Sequence, residues 1–390
     1  MDSFDILIVG AGPGGSNAAS VALRAGLRVA QLDAARFPRV KPCAGGITKK
    51  GVQSLRLELG PTLRRSHTSI EFNVWGRRRN RFTHRETVLD LVCRPEFDND
   101  LVRQNLALPG FEFVDGCRVR DVTYDDKFTV TTERGTFRAA QVIGADGAYS
   151  IVNRVFRIAK PARMATAVEV NIPMRSSDAA SLVPCFDYGA VSDGYGWVFP
   201  KDDQLSVGLY TLSSKVPQVR TQLLAYLQSR GLGNGLSALP PLEAAKIPVG
   251  GFRLRTPAVP VYVVGDAGGF ADALTGEGIY HALESGRLAG EVAVDVARGR
   301  RTHHEYYRRL WGSVLRDTAV SYFLALGFYR NVDRGIRFLQ HSFIWRPLIE
   351  GATAGATFSD CLLKGAWYLP RSRAAGLHQC AWDQTPSRCC

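Results

Sequence analysis

The glycine pattern in FDILIVGAGPGGSNAASVALRAGLRVAQLD, residues 4 to 33, constrains the fold more than any other stretch of the chain. An apolar run, Ile6 to Val9, leads directly into Gly10, Gly12 and Gly15. A helical segment follows, and then a second apolar run that ends on Asp33. A G-x-G-x-x-G between a strand and a helix is the arrangement of a dinucleotide-binding βαβ unit. Gly10 permits the tight turn out of the strand, Gly12 lets the backbone approach a pyrophosphate, and Gly15 permits close packing of helix on sheet. The unpaired N–H groups at the helix start then face the phosphates, and Asp33, 23 residues beyond Gly10, is placed to accept from a ribose hydroxyl. The motif does not separate FAD from NAD.

The rest of the chain carries further strand-to-loop junctions. After Asp33, the segment Lys41-Pro42-Cys43-Ala44-Gly45-Gly46 is too turn-prone for regular structure, so it is expected to lie across a site, with a short helix behind it. Residues 69–91 alternate around an arginine-rich turn (Arg77, Arg78, Arg79, Arg81) and read as a hairpin. Arg94-Pro95 opens a helix through Phe97, Leu101 and Leu106. Residues 112–139 read as a meander, and the next apolar run ends in Gly144-Ala145-Asp146-Gly147, a carboxylate at the strand end where parallel sheets bind ligands.

From Arg163 to Leu212 the pattern is one of strands, with GYGWVFP (194–200) between VEVNIPM and QLSVGLYT, as in an antiparallel sheet. Residues 216–230 read as a helix, with Gly231 to Gly235 as its exit loop. Val261 to Val264 then runs into Gly265-Asp266-Ala267-Gly268-Gly269 and through Gly276-Glu277-Gly278 into another helix, a second strand-glycine-helix junction. Beyond Arg301, aromatics from Tyr306 to Trp345 alternate with arginines at helical spacing.

Composition narrows the class. At 390 residues, 45% hydrophobic and 22% charged, the chain can bury two or three cores. The formal charge of +13 is compatible with nucleic acid, an anionic membrane surface or a phosphorylated substrate. Nucleotide-binding sequence begins within five residues of Met1, so the expectation is a cytoplasmic chain with reduced thiols. Its eight cysteines contain no C-x-x-C pair and suggest neither a metal site nor a disulfide scaffold. The terminal Cys389-Cys390 fits either a double-prenylation tail or a tail with no function. No apolar run reaches the roughly 20 residues of a membrane span, so any membrane contact is peripheral.

Taken together, GAGPGG (10–15), KPCAGG (41–46), R-x-x-F-D-x-x-L (94–101), GADG (144–147), GYGWVFPK (194–201) and GDAGG with TGEGI (265–279) resemble the FAD-dependent geranylgeranyl reductases, within the aromatic-hydroxylase-like flavoproteins. The likeness runs to about residue 300. It implies an α/β fold: a Rossmann-like FAD-binding domain (1–160 and 255–300), an inserted antiparallel β-sheet substrate domain (161–254) joined by the 69–91 hairpin, a C-terminal helical region (301–375) and a tail (376–390). It also implies extended FAD, with Gly10, Gly12, Gly14, Gly15 and Asp33 on the ADP half and Arg94 and Asp146 against the cofactor. Gly265 and Asp266 would sit at the ribityl or pyrophosphate portion, and Gly278 and Ile279 would present backbone near the isoalloxazine. One departure is Ala273, where the family often has proline, a change expected to loosen that loop.

The chemistry so implied is reduction of isolated double bonds in an isoprenoid chain by hydride from reduced flavin, with NADPH or a ferredoxin-like protein as electron source. An unactivated alkene has no carbonyl to absorb charge, so the site must be dry and aromatic. Tyr195, Trp197 and Phe199, on alternate strand positions, suit such a lining, and Cys43 is a candidate proton relay. A twenty-carbon chain offers on the order of 16 kcal/mol of gross burial at ~0.8 kcal/mol per CH₂, so the tail can dominate recognition over the head group. The partners expected are this substrate and an anionic membrane surface, reached through the basic C-terminal region, and not nucleic acid. Two alternatives share the cofactor motifs: a flavin monooxygenase of the aromatic-hydroxylase class, and an FAD electron carrier without its own prenyl chemistry.

Overall fold

The computed structural model describes residues 3–74, 78–214, 216–232, 238–339, 351, 353–357 and 359–361. Strand β1 (Ser3–Val9), helix α1 (Pro13–Arg24) and strand β2 (Val29–Leu32) form the expected βαβ unit, β1 and β2 pairing in parallel. Ile6, Leu7 and Ile8 are completely buried, because a parallel strand buried on both faces needs a continuous apolar run rather than an alternating one.

The chain then makes a small three-stranded sheet from β3 (Gly46–Ile47), followed by helix α2 (Lys49–Ser54), and β4 (Leu63–His67), while β5 (Ser69–Val74) and β6 (Arg78–Thr83) form a hairpin whose turn lies outside the described residues. The hairpin stops at Thr83 rather than at Leu91. The polar stretch from His84 breaks the ladder, and β7 (Leu89–Val92) leaves to pair with β3 and β4. The sequence reading had merged two strands that belong to different sheets.

Helix α3 (Arg94–Leu106) leads to β8 (Phe111–Val114), which pairs with β2 in parallel rather than opening a meander. The helix is the crossover that such a parallel connection requires. The true meander is β9 (Val119–Tyr124), β10 (Phe128–Thr132) and β11 (Gly135–Gly144), whose C-terminal half lies parallel to β1.

Past the short α4 (Ile151–Phe156), a second large sheet begins with β12 (Arg163–Pro173) and, after α5 (Ser176–Ala180), continues through β13 (Cys185–Tyr188), β14 (Gly194–Pro200) and β15 (Gln204–Thr211). Helix α6 (Val216–Ser229) covers one face, and β16 (Glu243–Val249), missed in the sequence, adds to the edge of β12, where Pro248 costs no interior hydrogen bond. The strand order is β16-β12-β15-β14-β13-β5-β6. The sheet is antiparallel except for β13 with β5, which join in parallel, so the hairpin is part of this layer. The loop expected at Gly231 to Gly235 lies mostly outside the described residues.

Strand β17 (Val261–Val263) returns to the first sheet beside β11, giving the parallel order β8-β2-β1-β11-β17. Helix α7 (Ile279–Ala297) packs against α1, with Gly286 at the crossing, where a Cβ would lie 2.1 Å from the Gly14 carbonyl. Helix α8 (His304–Leu310) runs through a π turn at Trp311–Leu315 into α9 (Arg316–Arg330). This is the mixed α/β fold expected, with a nucleotide-binding sheet, a second sheet and a helical C-terminal region. No described helix is long and apolar enough to cross a membrane. The C-terminal residues Phe343, Trp345, Cys389 and Cys390 lie outside the described residues.

Candidate functional site

The first junction behaves as a cradle with one open side. Gly10 has φ +103°, and a Cβ there would lie 2.2 Å from the Ala145 carbonyl, so the turn out of β1 is possible only for glycine and only against the GADG strand end. Gly12 is the N-cap of α1 and carries no side-chain cap. A Cβ on it would meet only the Arg39 guanidinium, at 3.5 Å, so the helix N–H groups face open space. Gly14 and Gly15 do a different job. Their Cβ positions fall 2.8 Å from the Ala282 carbonyl and 2.2 Å from that of Gly10, so both serve packing. Asp33 accepts the Ala11 and Ala35 N–H groups on separate oxygens, which orients its carboxylate at the strand end.

Arg39 is the residue here that sequence reading missed. Its Nε lies 3.7 Å from Asp33 and its Nη2 3.1 Å from Asp98, so it bridges the strand end and α3 across the open side of the cradle. The uncapped helix start, the free space over Gly12 and the oriented Asp33 fit the ADP half of FAD.

Arg94 is buried and grips Asp98 through two parallel hydrogen bonds of 2.8 Å. Burial opposes its charge, but Asp98 more than offsets this and raises the guanidinium above its ordinary range, and the thiol of Cys43 adds to the effect. Arg94 thus ties the lysine-proline-cysteine loop to α3. In the same loop the Cys43 N–H donates to Glu169 Oε1 at 2.8 Å, and Cys43 Sγ accepts the Gly45 N–H at 3.4 Å.

Glu169 lies on β12, only 3% exposed, and burial raises its carboxyl above the ordinary value despite the Cys43 N–H and nearby Lys201. Ser206 donates weakly to Glu169 Oε2, and Trp197 Nε1 donates to Ser206 Oγ at 3.1 Å. The structure therefore brings Cys43, Glu169, Lys201 and Trp197 together. In VEVNIP Glu169 has the opposite parity to Val168, Val170 and Ile172, so it reads as solvent-facing, and nothing local said that its face was covered.

Tyr195, Trp197 and Phe199 do share one face of β14, each buried. Phe186 meets Phe199 edge-on at 5.2 Å, and Gly46 of the lysine-proline-cysteine loop packs on the Phe199 ring. The Tyr195 hydroxyl is not free: it donates to the Thr275 carbonyl, while Tyr210 donates to Ala273 and Tyr329 to Leu274. Three tyrosines from β14, β15 and α9 hold three successive carbonyls. Asp272 accepts the Leu274 and Thr275 N–H groups from within the turn. This clamp supplies the order that Ala273, in place of proline, was expected to remove.

The second junction is held by charge. Gly265 has φ +55°, its N–H donates to Ser285, and Asp266 lies 3.9 Å from Lys41. Gly278 caps α7 and faces Asp266, whereas the Ile279 side chain is buried beside Ile47, Phe97 and Leu283, leaving only its backbone for a ligand. Behind them Lys50 Nζ lies 2.8 Å from Glu277 and 3.8 Å from Asp317, and over the Tyr280 ring. Burial opposes all three charges, yet Lys50 is raised by Glu277 and Asp317, Glu277 is lowered chiefly by Lys50, and Asp317 is lowered by its hydrogen bond with His281 and then by Lys50. His281 bridges the Glu277 carbonyl and Asp317.

Asp146 has a local role. Its carboxylate accepts from the Ser150 hydroxyl and the Ile151 N–H at the start of α4. The basic stretch after Arg298 is also largely paired, with Arg300 and Arg301 on Asp295 and Arg308 and Arg309 on Glu305. Tyr306 and Tyr307 donate to the carbonyls of Val263 and Val261, fastening α8 to β17.

Residues 3–205 match the family model described as FAD binding domain. A menaquinone reductase from Mycobacterium tuberculosis is 31% identical over 81% of this chain and 80% of its own. A digeranylgeranylglycerophospholipid reductase from Methanopyrus kandleri is 30% identical over 81% of this chain and 88% of its own. Among solved structures, a geranylgeranyl bacteriochlorophyll reductase-like protein from Thermoplasma acidophilum superposes with a TM-score of 0.73 at 18% identity, covering 95% of this chain and 98% of that one.

Proposed function

Because the chain belongs to the FAD-dependent geranylgeranyl reductase family of oxidoreductases, we propose that it reduces isolated C=C bonds of a geranylgeranyl or related isoprenoid chain. The observation that carries this reading is the convergence of two loops on one aromatic face. Gly46 packs on Phe199, and the 273–275 turn hangs from the hydroxyls of Tyr195, Tyr210 and Tyr329. Reduced FAD, when bound, supplies hydride. The protein's own contribution is to hold the ADP half over Gly12 with Asp33 and Arg39, to bring the backbone of Gly278 and Ile279 to the second junction, and to exclude water beside Trp197 and Phe199. Aromatic faces tolerate the positive charge that builds on an alkene carbon during protonation.

The name of the Methanopyrus kandleri relative supports an isoprenoid-lipid substrate, with the head group left to the assay. The test is mass spectrometry of geranylgeranyl diphosphate, phospholipid, chlorophyll-type and quinone substrates after anaerobic incubation with chemically reduced protein. Mass gains in steps of two hydrogens are expected, and the substrate that gains them identifies the head group. Bound, reducible flavin with no gain on any chain would overturn the reading. Repetition in air then separates an oxygen-activating enzyme from an electron carrier, and comparing NADPH with a reduced ferredoxin identifies the electron source.

A further inference from the structure

Most proton-bearing groups around the aromatic face are already committed. The hydroxyls of Tyr195, Tyr210 and Tyr329 donate to backbone carbonyls, and His281 lies between the Glu277 carbonyl and Asp317. Asp272 accepts two N–H groups of its own turn. Cys43 Sγ accepts the Gly45 N–H and is reached by the Arg94 guanidinium, so the sulfur is held between these two donors.

Glu169 is different. In the strand ladder it stands opposite Gly208, which on its other side stands opposite Trp197, and the Trp197 ring covers Gly208 so closely that a Cβ there would lie 2.2 Å from it. Glu169, Gly208 and Trp197 therefore form one row across three strands, on the face that meets the Cys43 loop.

Resting on the reductase reading above, we propose that Glu169 is the proton donor of the reaction, protonating one alkene carbon as the other receives hydride from reduced flavin. The π bond breaks and two C–H bonds form. Flavin is left oxidised and Glu169 is left as a carboxylate, which regains its proton from solvent. The surroundings suit both states. Burial favours the neutral acid before transfer, and the Cys43 N–H and the cation of Lys201 stabilise the anion after it. The other groups facing Glu169 are the Ser206 hydroxyl on β15 and the Glu243 carboxyl on neighbouring β16, with the Arg94–Asp98 pair behind Cys43.

Glu169→Gln tests the proposal, with Cys43→Ala as its comparator and flavin loading as the check that each variant folds. Infrared titration of flavin-free protein upward from about pH 5 should show protonated-carboxyl absorption that disappears as the pH rises, and the part of it due to Glu169, beside those of Asp146 and Glu243, should be missing from Glu169→Gln. With flavin and whichever prenyl substrate gains hydrogen in the mass-spectrometric assay, wild-type turnover should fall with rising pH as Glu169 loses its proton. Glu169→Gln should lose roughly 10²- to 10⁴-fold in rate together with that descending limb, while Cys43→Ala keeps the limb. Wild-type rate and pH profile in Glu169→Gln would overturn the proposal. So would a limb that vanishes in Cys43→Ala and survives in Glu169→Gln, since the thiol would then be the donor. If wild-type protein reduces no prenyl chain at all, the reductase reading has failed and the donor role falls with it, whatever the infrared band shows.

Discussion

Replacing Lys50 by methionine should expose how much the second glycine junction depends on a charge cluster assembled from three distant parts of the chain. Methionine keeps the stem that packs on Tyr280 and removes only the cation. At an effective dielectric of about 20, the contacts of 2.8 Å to Glu277 and 3.8 Å to Asp317 are worth roughly 6 and 4 kcal/mol of attraction, most of it offset by the desolvation of the three groups. Removing one member leaves buried carboxylates without a cation, a change that typically costs about 3–5 kcal/mol. For 390 residues unfolding as one unit, the unfolding entropy is roughly 0.8 kcal/mol/K, so the melting temperature should drop by about 5 °C at neutral pH.

The pH dependence has a definite sign. Glu277 and Asp317 are held below their ordinary values of 4.5 and 3.8, so their contribution is complete above about pH 4.5 and is lost as the pH falls through the folded values. Lys50 is raised above 10.5, so its contribution is complete below that pH and is lost as the pH rises through the folded value. Calorimetry should therefore find the Lys50→Met deficit largest near neutrality and smaller toward pH 4, where the orphaned carboxyls take up protons. A deficit under 1 °C, or one unchanged between pH 7 and about pH 4, would refute this account of the cluster.

Two further perturbations separate cofactor binding from folding. Gly12→Val meets only the Arg39 side chain, so the variant should fold with nearly wild-type stability and fail to retain flavin, whereas Gly15→Val drives a Cβ to 2.2 Å from the Gly10 carbonyl and should not fold stably at all. Identical behaviour of the two in a thermal-shift and flavin-absorbance comparison would show that the cradle has been misplaced. Tyr329→Phe leaves the buried Leu274 carbonyl without its donor, a loss of about 1–3 kcal/mol, and should loosen flavin through the 273–275 turn. Unchanged stability and unchanged flavin affinity would make that tyrosine dispensable.

Where the sequence was misread, the cause was tertiary. Residues 69–91 alternate throughout, but alternation does not say which sheet a strand joins, and β7 left for β3 and β4. Phe111–Val114 looked like the start of a meander because its pairing with β2 depends on the crossover made by α3. The GYGWVFP parity correctly placed Tyr195, Trp197 and Phe199 on one face, but not the destination of the Tyr195 hydroxyl, since Thr275 lies eighty residues away. The motif placed Asp146 at a strand end, and the Ser150 and Ile151 partners that orient its carboxylate became visible only with the turn into α4.

By itself the sequence determined the βαβ unit, its turn, the flavoprotein family and the aromatic row. Glycine spacing and period-two alternation are backbone properties written over a few consecutive residues. Only the tertiary structure decided what surrounds them: Arg39 across the cradle, Lys50 between Glu277 and Asp317, three tyrosines on one turn, and Glu169 against Cys43, 126 residues apart. Such contacts depend on strand register and on which loop closes over which face. A buried carboxyl and an exposed one have the same letter, and their chemistry diverges only when the fold removes the water.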